Sequence, residues 1–159
     1  MIKLRKINPD NIWKVTNLTV HDSQKHFVAS NTDSLLEAYL AIIEGQVALP
    51  FAIYHDDLLV GFVMFGYGSS EDADEPLIAD GNYLMWRFMI DQQFQGRGYG
   101  KEALKASLDY IRTYPCGPAQ YCWLSYEPEN TAARSLYASM GFNENGETCG
   151  NEIVTVIKL

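Results

Sequence analysis

The chain has 159 residues, of which 47% are apolar and 20% charged, a composition typical of a folded domain and not of a disordered segment. Its formal net charge of −8 argues against a nucleic-acid partner, because binding to phosphate backbones requires clustered lysine and arginine. No apolar run resembles a signal peptide or is long enough to span a bilayer, so we expect one cytoplasmic domain over residues 1–159 with no membrane partner.

Hydrophobic periodicity predicts the element order β-α-α-β-β-β-α-β-α-β-β. In chain order these are a strand at 2–7, helices at 8–20 and 33–44, strands at 51–54 and 58–65, a strand from 83 leading into a glycine turn at 95–101, a helix ending near 114, a strand at 120–126, a helix at 130–140, and strands at 142–147 and 153–159. This order predicts an α/β sandwich with helices on a mixed sheet, antiparallel at first and parallel around the strand that begins at 83.

The cysteines and histidines of the chain have no paired-ligand spacing, so we expect no metal site. The odd number of cysteines, at 116, 122 and 149, suits a reducing compartment.

The glycine turn, Q-G-R-G-Y-G-K at residues 95–101, carries three glycines on alternate positions where a helix begins. Unpaired amides and the positive end of the helix dipole make such a turn a suitable site for phosphate. Its spacing is one position short of a dinucleotide fingerprint, and Glu102 follows Lys101 where a P-loop has serine or threonine. The motif alone predicts either a phosphate cradle of another kind or an ordinary turn.

A second group of polar residues follows the strand at 120–126. Asn130 is placed to cap the next helix, with its side-chain amide facing the space between the strands. Tyr137 lies two turns later and projects from the same helix face, where a phenol could protonate a departing thiolate. The alternative for Tyr137 is a tyrosine at the edge of the core with a satisfied hydroxyl.

Both groups resemble signatures of the GNAT N-acetyltransferases. The first is Q-x-x-G-x-G from Gln95 and the second is N-x-x-A-x-x-x-Y-x-x-x-G-F from Asn130, in the order of that family. The resemblance implies acetyl-CoA as cosubstrate, a V-shaped slot between two splayed central parallel strands, and Tyr137 as the catalytic acid. It also implies cofactor contacts at Phe88, Met89, Ile90, Gln95, Gly96, Arg97, Gly98, Tyr99, Gly100, Lys101, Asn130 and Arg134.

The chain departs from the common family pattern at Trp86, where many members carry a glutamate or aspartate that accepts a proton from the incoming amine. Tryptophan cannot accept that proton. The general base is therefore open: Glu37, Asp22, a carboxylate of the loop at 71–80, or no dedicated base.

The segment L-T-V-H-D-S-Q-K-H-F-V-A-S at residues 18–30 and the segment W-R-F-M-I-D-Q-Q-F-Q-G-R-G-Y-G at 86–100 resemble bacterial spermine/spermidine acetyltransferases. Five acidic residues between 71 and 80 would favour a polycation, so we expect a small-molecule amine acceptor, with a polyamine as the leading candidate. Another small amine, a protein amine, or a non-catalytic acyl-CoA-binding module are the alternatives. The family resemblance leaves a homodimer open.

Overall fold

The computed structural model describes all residues from 1 to 159. Its helices and strands are β1 (Ile2–Lys6), α1 (Ile12–Thr16), α2 (Asn31–Ile43), β2 (Leu49–His55), β3 (Leu58–Tyr67), β4 (Tyr83–Ile90), α3 (Tyr99–Ile111), β5 (Tyr121–Tyr126), α4 (Thr131–Ser139), β6 (Asn143–Cys149) and β7 (Glu152–Lys158). The observed order of helices and strands confirms the order predicted from the sequence. The strands form a single sheet in the order β1-β2-β3-β4-β5-β7-β6.

The centre of the sheet is its only parallel pair, β4 with β5. These strands are in register at Tyr83 with Cys122 and at Leu84 with Trp123, and no further positions are paired. Because β4 continues to Ile90 and β5 to Tyr126, the strands diverge beyond their paired ends. The predicted splayed V is therefore present at the centre of a mixed sheet.

Helices cover both faces of the sheet. On one face, α3 buries Ala103, Leu104, Leu108 and Ile111 in the main core, to which α4 adds Tyr137. On the other face, α1 contributes Val15 and α2 contributes Ala38 and Ala41 to a second apolar cluster. The V thus opens between two packed layers.

The buried side of α2 is formed by small residues, namely Asn31, Ser34, Ala38 and Ala41. Small side chains at this helical spacing let α2 lie close to the sheet. Five large apolar side chains of the helix point outward instead and are between 54 and 64% exposed: Leu36, Tyr39, Leu40, Ile42 and Ile43.

Two helices are shorter than the sequence predicts. The first ends at Thr16 and not near residue 20, because the chain is tied to the end of β4: the Thr19 amide donates to Asp91 Oδ2 (2.9 Å) and the Gln92 amide donates to the Thr19 carbonyl (2.8 Å). The third ends at Ile111 and not near residue 114, where Tyr114 has a φ of +54° that no helix accommodates.

Candidate active site

The diverging strands enclose a slot with two openings. A narrow cleft of about 280 Å³ lies on the side of the glycine turn, and a wide cleft of about 970 Å³ lies on the side of α2 and the loop at 68–75. Six residues line both clefts and mark their junction: Phe27, Val28, Phe88, Asn130, Ala133 and Tyr137. A molecule that occupies one cleft would meet a molecule in the other at this junction.

The narrow cleft collects seven of the residues predicted to contact the cofactor: Phe88, Met89, Ile90, Gln95, Gly96, Gly100 and Asn130. Gln95 holds the turn in place, since its Nε2 donates to the Ile90 carbonyl (3.0 Å) and to Gln24 Oε1 (2.9 Å). The second bond ties the turn to the segment between α1 and α2, which supplies Val20 and Gln24 to the same cleft.

The glycine turn leads directly into α3. Gly96 and Gly98 have φ values of +75° and +85°, and Gly98 is the N-cap of α3. Glycine adopts this left-handed backbone without steric cost. The first amides of α3 therefore follow directly on a tight turn, the arrangement that binds phosphate groups.

Three other residues of the predicted contact set line neither cleft. The Arg97 guanidinium lies over the Phe94 ring at 5.6 Å, and Tyr99 stacks on the His55 ring at 4.6 Å. Lys101 is exposed on the first turn of α3. At these positions, and at Gly98, only the backbone is placed to contribute to the turn.

Arg134 is occupied by an ion pair. Its Nε lies 2.7 Å from Glu144 Oε1, and its Nη2 donates to Glu144 Oε2 at 3.0 Å. The same carboxylate accepts the Tyr126 hydroxyl at 2.6 Å. The Tyr126 and Arg134 donors lower the pKa of Glu144, which keeps this network charged.

Asn130 and Tyr137 lie together at the junction of the clefts. Asn130 Oδ1 caps α4 by accepting from the Ala133 amide (3.3 Å), which leaves its Nδ2 free to donate. The Tyr137 ring packs against Phe88, Tyr126 and Phe142, with ring centroids 6.4, 6.3 and 5.6 Å away.

The Tyr137 hydroxyl forms no hydrogen bond within the protein, and Tyr137 lines both clefts of the slot. Burial raises the pKa of this phenol well above its usual range. The phenol therefore stays protonated at neutral pH, and no protein group satisfies its hydroxyl.

The β4 wall of the slot contains a β-bulge at Trp86. Met64 of β3 pairs with Arg87 and Phe65 pairs with Met85, so Trp86 is the extra residue. The bulge places Trp86 and Arg87 on the same face, where Trp86 packs on the α2-side cluster and Arg87 Nη2 lies 2.8 Å from Glu37 Oε2 of α2. Arg87 Nε is buried without a partner.

The sequence profile of the Acetyltransferase (GNAT) family matches residues 14–142. The chain belongs to the GNAT family. It is therefore an acetyl-CoA-dependent N-acetyltransferase, as its two motifs predicted.

Known relatives agree with this assignment. The chain is 30% identical over 158 residues to a spermine/spermidine N(1)-acetyltransferase of Bacillus subtilis, covering 99% of this chain and 97% of that protein. Its fold is similar to that of an aminoglycoside acetyltransferase in complex with coenzyme A (TM-score 0.77, 14% identity, 99% of this chain and 95% of that one). The fold is also similar to that of a spermidine N-acetyltransferase from Vibrio cholerae in complex with CoA and spermine (TM-score 0.67, 19% identity, 99% of this chain and 95% of that one).

Two of the candidate general bases of this GNAT chain, Asp22 and Glu37, have different surroundings. Asp22 lies outside both clefts and is held by Lys25 Nζ at 2.7 Å. The hydrogen bond from Lys25 lowers the pKa of this exposed carboxyl. Glu37 lines the wide cleft but is paired with Arg87.

The acidic loop at 71–80 contributes Asp72, Asp74 and Glu75 to the wide cleft. Partial burial opposes ionisation of Glu75, but donors from Ser69, Ser70 and the amide of Glu71 outweigh it and lower the pKa of Glu75. A carboxylate so well satisfied is a weak proton acceptor.

Sequence reasoning missed two groups of site residues. Phe27 and Val28, between α1 and α2, line both clefts. Ser125 of β5 and Glu152 of β7 line the wide cleft, with the Ser125 hydroxyl 3.3 Å from Glu152 Oε2. No motif marks Glu152. It reaches the site because β7 inserts between β5 and β6, which the element order alone does not reveal.

The side chains that line the wide cleft are predominantly acidic. Its only basic residue is Arg87, and its carboxylates are Glu37, Glu44, Asp72, Asp74, Glu75 and Glu152. The narrow cleft contains no charged side chain. The structure has no group of three metal-ligating side chains that could hold a metal ion, and none of its helices has both the length and the apolar character of a membrane span.

Proposed function

We propose that this enzyme transfers the acetyl group of acetyl-CoA to a primary amine of a polyamine such as spermidine or spermine. The observation that carries the proposal is the charge of the wide cleft, where six carboxylates face one guanidinium. Glu37 pairs with that guanidinium, which leaves five carboxylates for a cation. Opposite charge in a concave site raises the local concentration of a polycation and the rate of its capture.

The relatives support the same acceptor class. The Bacillus subtilis relative, which is matched over nearly its whole length, is a spermine/spermidine acetyltransferase, and the Vibrio cholerae protein of similar fold was crystallised with spermine. We therefore favour a polyamine over other small amines and over a protein amine.

The chain's residues take the following roles in this proposal. The β4 backbone at Phe88, Met89 and Ile90 pairs with the pantetheine amides, and the amides of residues 96–101 hold the pyrophosphate. Asn130 Nδ2 contacts the pantetheine arm. A backbone donor near Met89 polarises the thioester carbonyl.

Tyr137 is the general acid in this mechanism. Its position at the junction of the clefts supports this role, because the thioester sulfur must lie where cosubstrate and amine meet. A protonated phenol there donates to the departing thiolate. The protein's main contribution is to align amine and thioester and to manage these protons.

We also propose that residues 1–159 act as one domain and that the protein is a cytoplasmic homodimer. All seven strands belong to one sheet, which supports the first point. The exposed apolar face of α2, formed by Leu36, Tyr39, Leu40, Ile42 and Ile43, is suited to burial against a second copy. Light scattering tests this: Leu36→Glu with Ile43→Glu should convert a dimer to a monomer, and a wild-type monomer would contradict the proposal.

A panel of acceptors tests the function. Thiol release from acetyl-CoA is measured with spermidine, spermine, an aminoglycoside, a lysine peptide and a neutral small amine. We expect kcat/KM to be highest for the polyamines and to fall steeply with salt, because surface charge is screened. Turnover confined to another amine would overturn the acceptor assignment, and CoA binding without turnover of any amine would indicate a binding module.

A further inference from the structure

The half-buried carboxylates of the wide cleft are Glu37, Glu75 and Glu152, whereas Glu44, Asp72 and Asp74 are exposed. Glu37 is fixed by Arg87 at 2.8 Å, and Glu75 is saturated by the hydroxyls and amides around it. Glu152 receives one long hydrogen bond, from Ser125 at 3.3 Å, and forms no ion pair within 4.0 Å. It is the one half-buried carboxylate in the cleft with most of its lone pairs free.

Its position relative to Trp86 follows from the strand register. The last paired positions of the V are Leu84 and Trp123, so Trp86 on β4 and Ser125 on β5 each lie two residues further into the opening. The hydroxyl of Ser125 orients Glu152 from the β5 side. The carboxylate that is missing from β4 at Trp86 is thus matched by one on the opposite wall of the slot.

We infer that Glu152 is the general base that takes the first proton from the acceptor ammonium, with Ser125 as its positioning residue. The inference rests on the proposed acetylation of an amine. A primary ammonium with a pKa of about 10.4 is neutral in about one molecule in 2,500 at pH 7, so a nearby proton acceptor matters.

The protons balance in this scheme. Glu152 accepts one proton, directly or through a water molecule, and the neutral amine nitrogen attacks the thioester carbon. The C–N bond forms, the C–S bond breaks with its electron pair going to sulfur, and Tyr137 protonates the thiolate. The second nitrogen proton returns to the Tyr137 oxygen, and Glu152 releases its proton to solvent.

The surroundings of Glu152 suit a base. Burial raises its pKa above the ordinary value, the Ser125 hydrogen bond opposes this, and the charges of Glu127 and Arg87 act in opposite directions on it. Cys149 of β6, its cross-strand neighbour, also lines the cleft, and burial raises the pKa of that thiol. Cys149 is therefore neutral at pH 7 and leaves Glu152 as the proton acceptor.

The test is the pH dependence of kcat/KM for Glu152→Gln, with Glu44→Gln as the matched control. Both variants remove one negative charge from the same cleft. We expect Glu152→Gln to lose about 10²-fold at pH 7, the low end of general-base effects, and to approach wild type near pH 10, where free amine is abundant. Glu44→Gln should raise KM about twofold at every pH, because a single exposed charge contributes little to binding. Glu152→Asp should keep part of the activity and the acidic limb of the profile.

Two outcomes would overturn the inference: a Glu152→Gln profile parallel to that of wild type, or a change in KM alone. Unchanged CoA affinity and melting temperature show that the variant is folded. Wild-type turnover of spermidine reports on the proposed function, whereas the variant-to-wild-type ratio reports on Glu152 and is measured with whichever amine is turned over. If wild type acetylates no amine, Glu152 has no proton to take and both proposals fail.

Discussion

The hydroxyl of Tyr137 can be removed almost without disturbing the fold. In Tyr137→Phe the ring keeps its three aromatic neighbours, each pair worth about 0.5–1.5 kcal/mol, and the lost hydroxyl has no hydrogen-bond partner in the protein. We therefore expect the free energy of unfolding to change by less than about 0.5 kcal/mol, below the usual worth of one hydrogen bond.

The effect on catalysis should be much larger. Loss of a positioned proton donor lowers the rate by about 10²-fold or more, equivalent to about 2.7 kcal/mol in the activation barrier. The expected result for Tyr137→Phe is thus a kcat about 10²-fold lower, a CoA affinity within about twofold of wild type, and an unchanged denaturation midpoint. Steady-state kinetics, CoA titration and urea unfolding measure the three quantities.

Tyr126→Phe is the matched control. Tyr126 stacks on Tyr137, but its hydroxyl donates to Glu144 at 2.6 Å. Its removal should lower the denaturation midpoint, because the bond is to a charged group, and change kcat by less than about threefold. An unchanged kcat in Tyr137→Phe would refute its role as the acid, and a joint loss of CoA binding and stability would show that the residue is structural.

Three further predictions concern backbone and charge. Gly98→Ala should weaken CoA binding about tenfold or more in a CoA titration. Gly146→Ala is the control, because Gly146 has a φ of +86°, close to the +85° of Gly98, and equally open space around it. Both substitutions should lower stability by about 1–2 kcal/mol, but Gly146→Ala should leave CoA binding unchanged. Gly61→Ala should destabilise by about 1–3 kcal/mol in urea unfolding, because its Cβ would overlap a backbone carbonyl of β4, while Gly66→Ala has ordinary contacts and should cost less. Burial raises the pKa of Glu152, so the folded state disfavours its charged form, and its contribution to stability is lost as the pH rises through the folded-state pKa. Glu152→Gln should therefore be more stable than wild type at pH 7 in thermal unfolding. The difference should shrink as the pH falls toward about 4.5.

The residues of the glycine turn and of the junction between the clefts could be predicted because their determinants are local. The turn at 95–101 encodes its conformation in glycines at positive φ, and Asn130 and Tyr137 are joined by a single helix face. Short-range rules of capping and periodicity suffice for such groups. Arg134 lies on the same helix, yet its guanidinium pairs with Glu144 of β6, a partner that only the tertiary structure supplies.

The wide cleft depends on non-local geometry that the sequence does not reveal. The bulge at Trp86 turns both it and Arg87 toward α2, which simple alternation along a strand would forbid. Glu152 reaches the slot only because β7 pairs with β5. In α2, the spacing of large apolar residues correctly indicates a helix, but alanine and serine form its buried side.

Carboxylates on the two walls of the V should be interchangeable if position in the slot is what matters. Trp86 and Ser125, the partner of Glu152, each lie two residues beyond the last paired residues of β4 and β5. In the Glu152→Gln background, Trp86→Glu should therefore recover at least about tenfold of the lost kcat/KM at pH 7, together with the acidic limb of the profile. Trp86→Gln in the same background is the control, since it removes the same indole packing without supplying a base. Equal recovery by both substitutions would mean that space at Trp86, and not a second proton acceptor, limits the reaction.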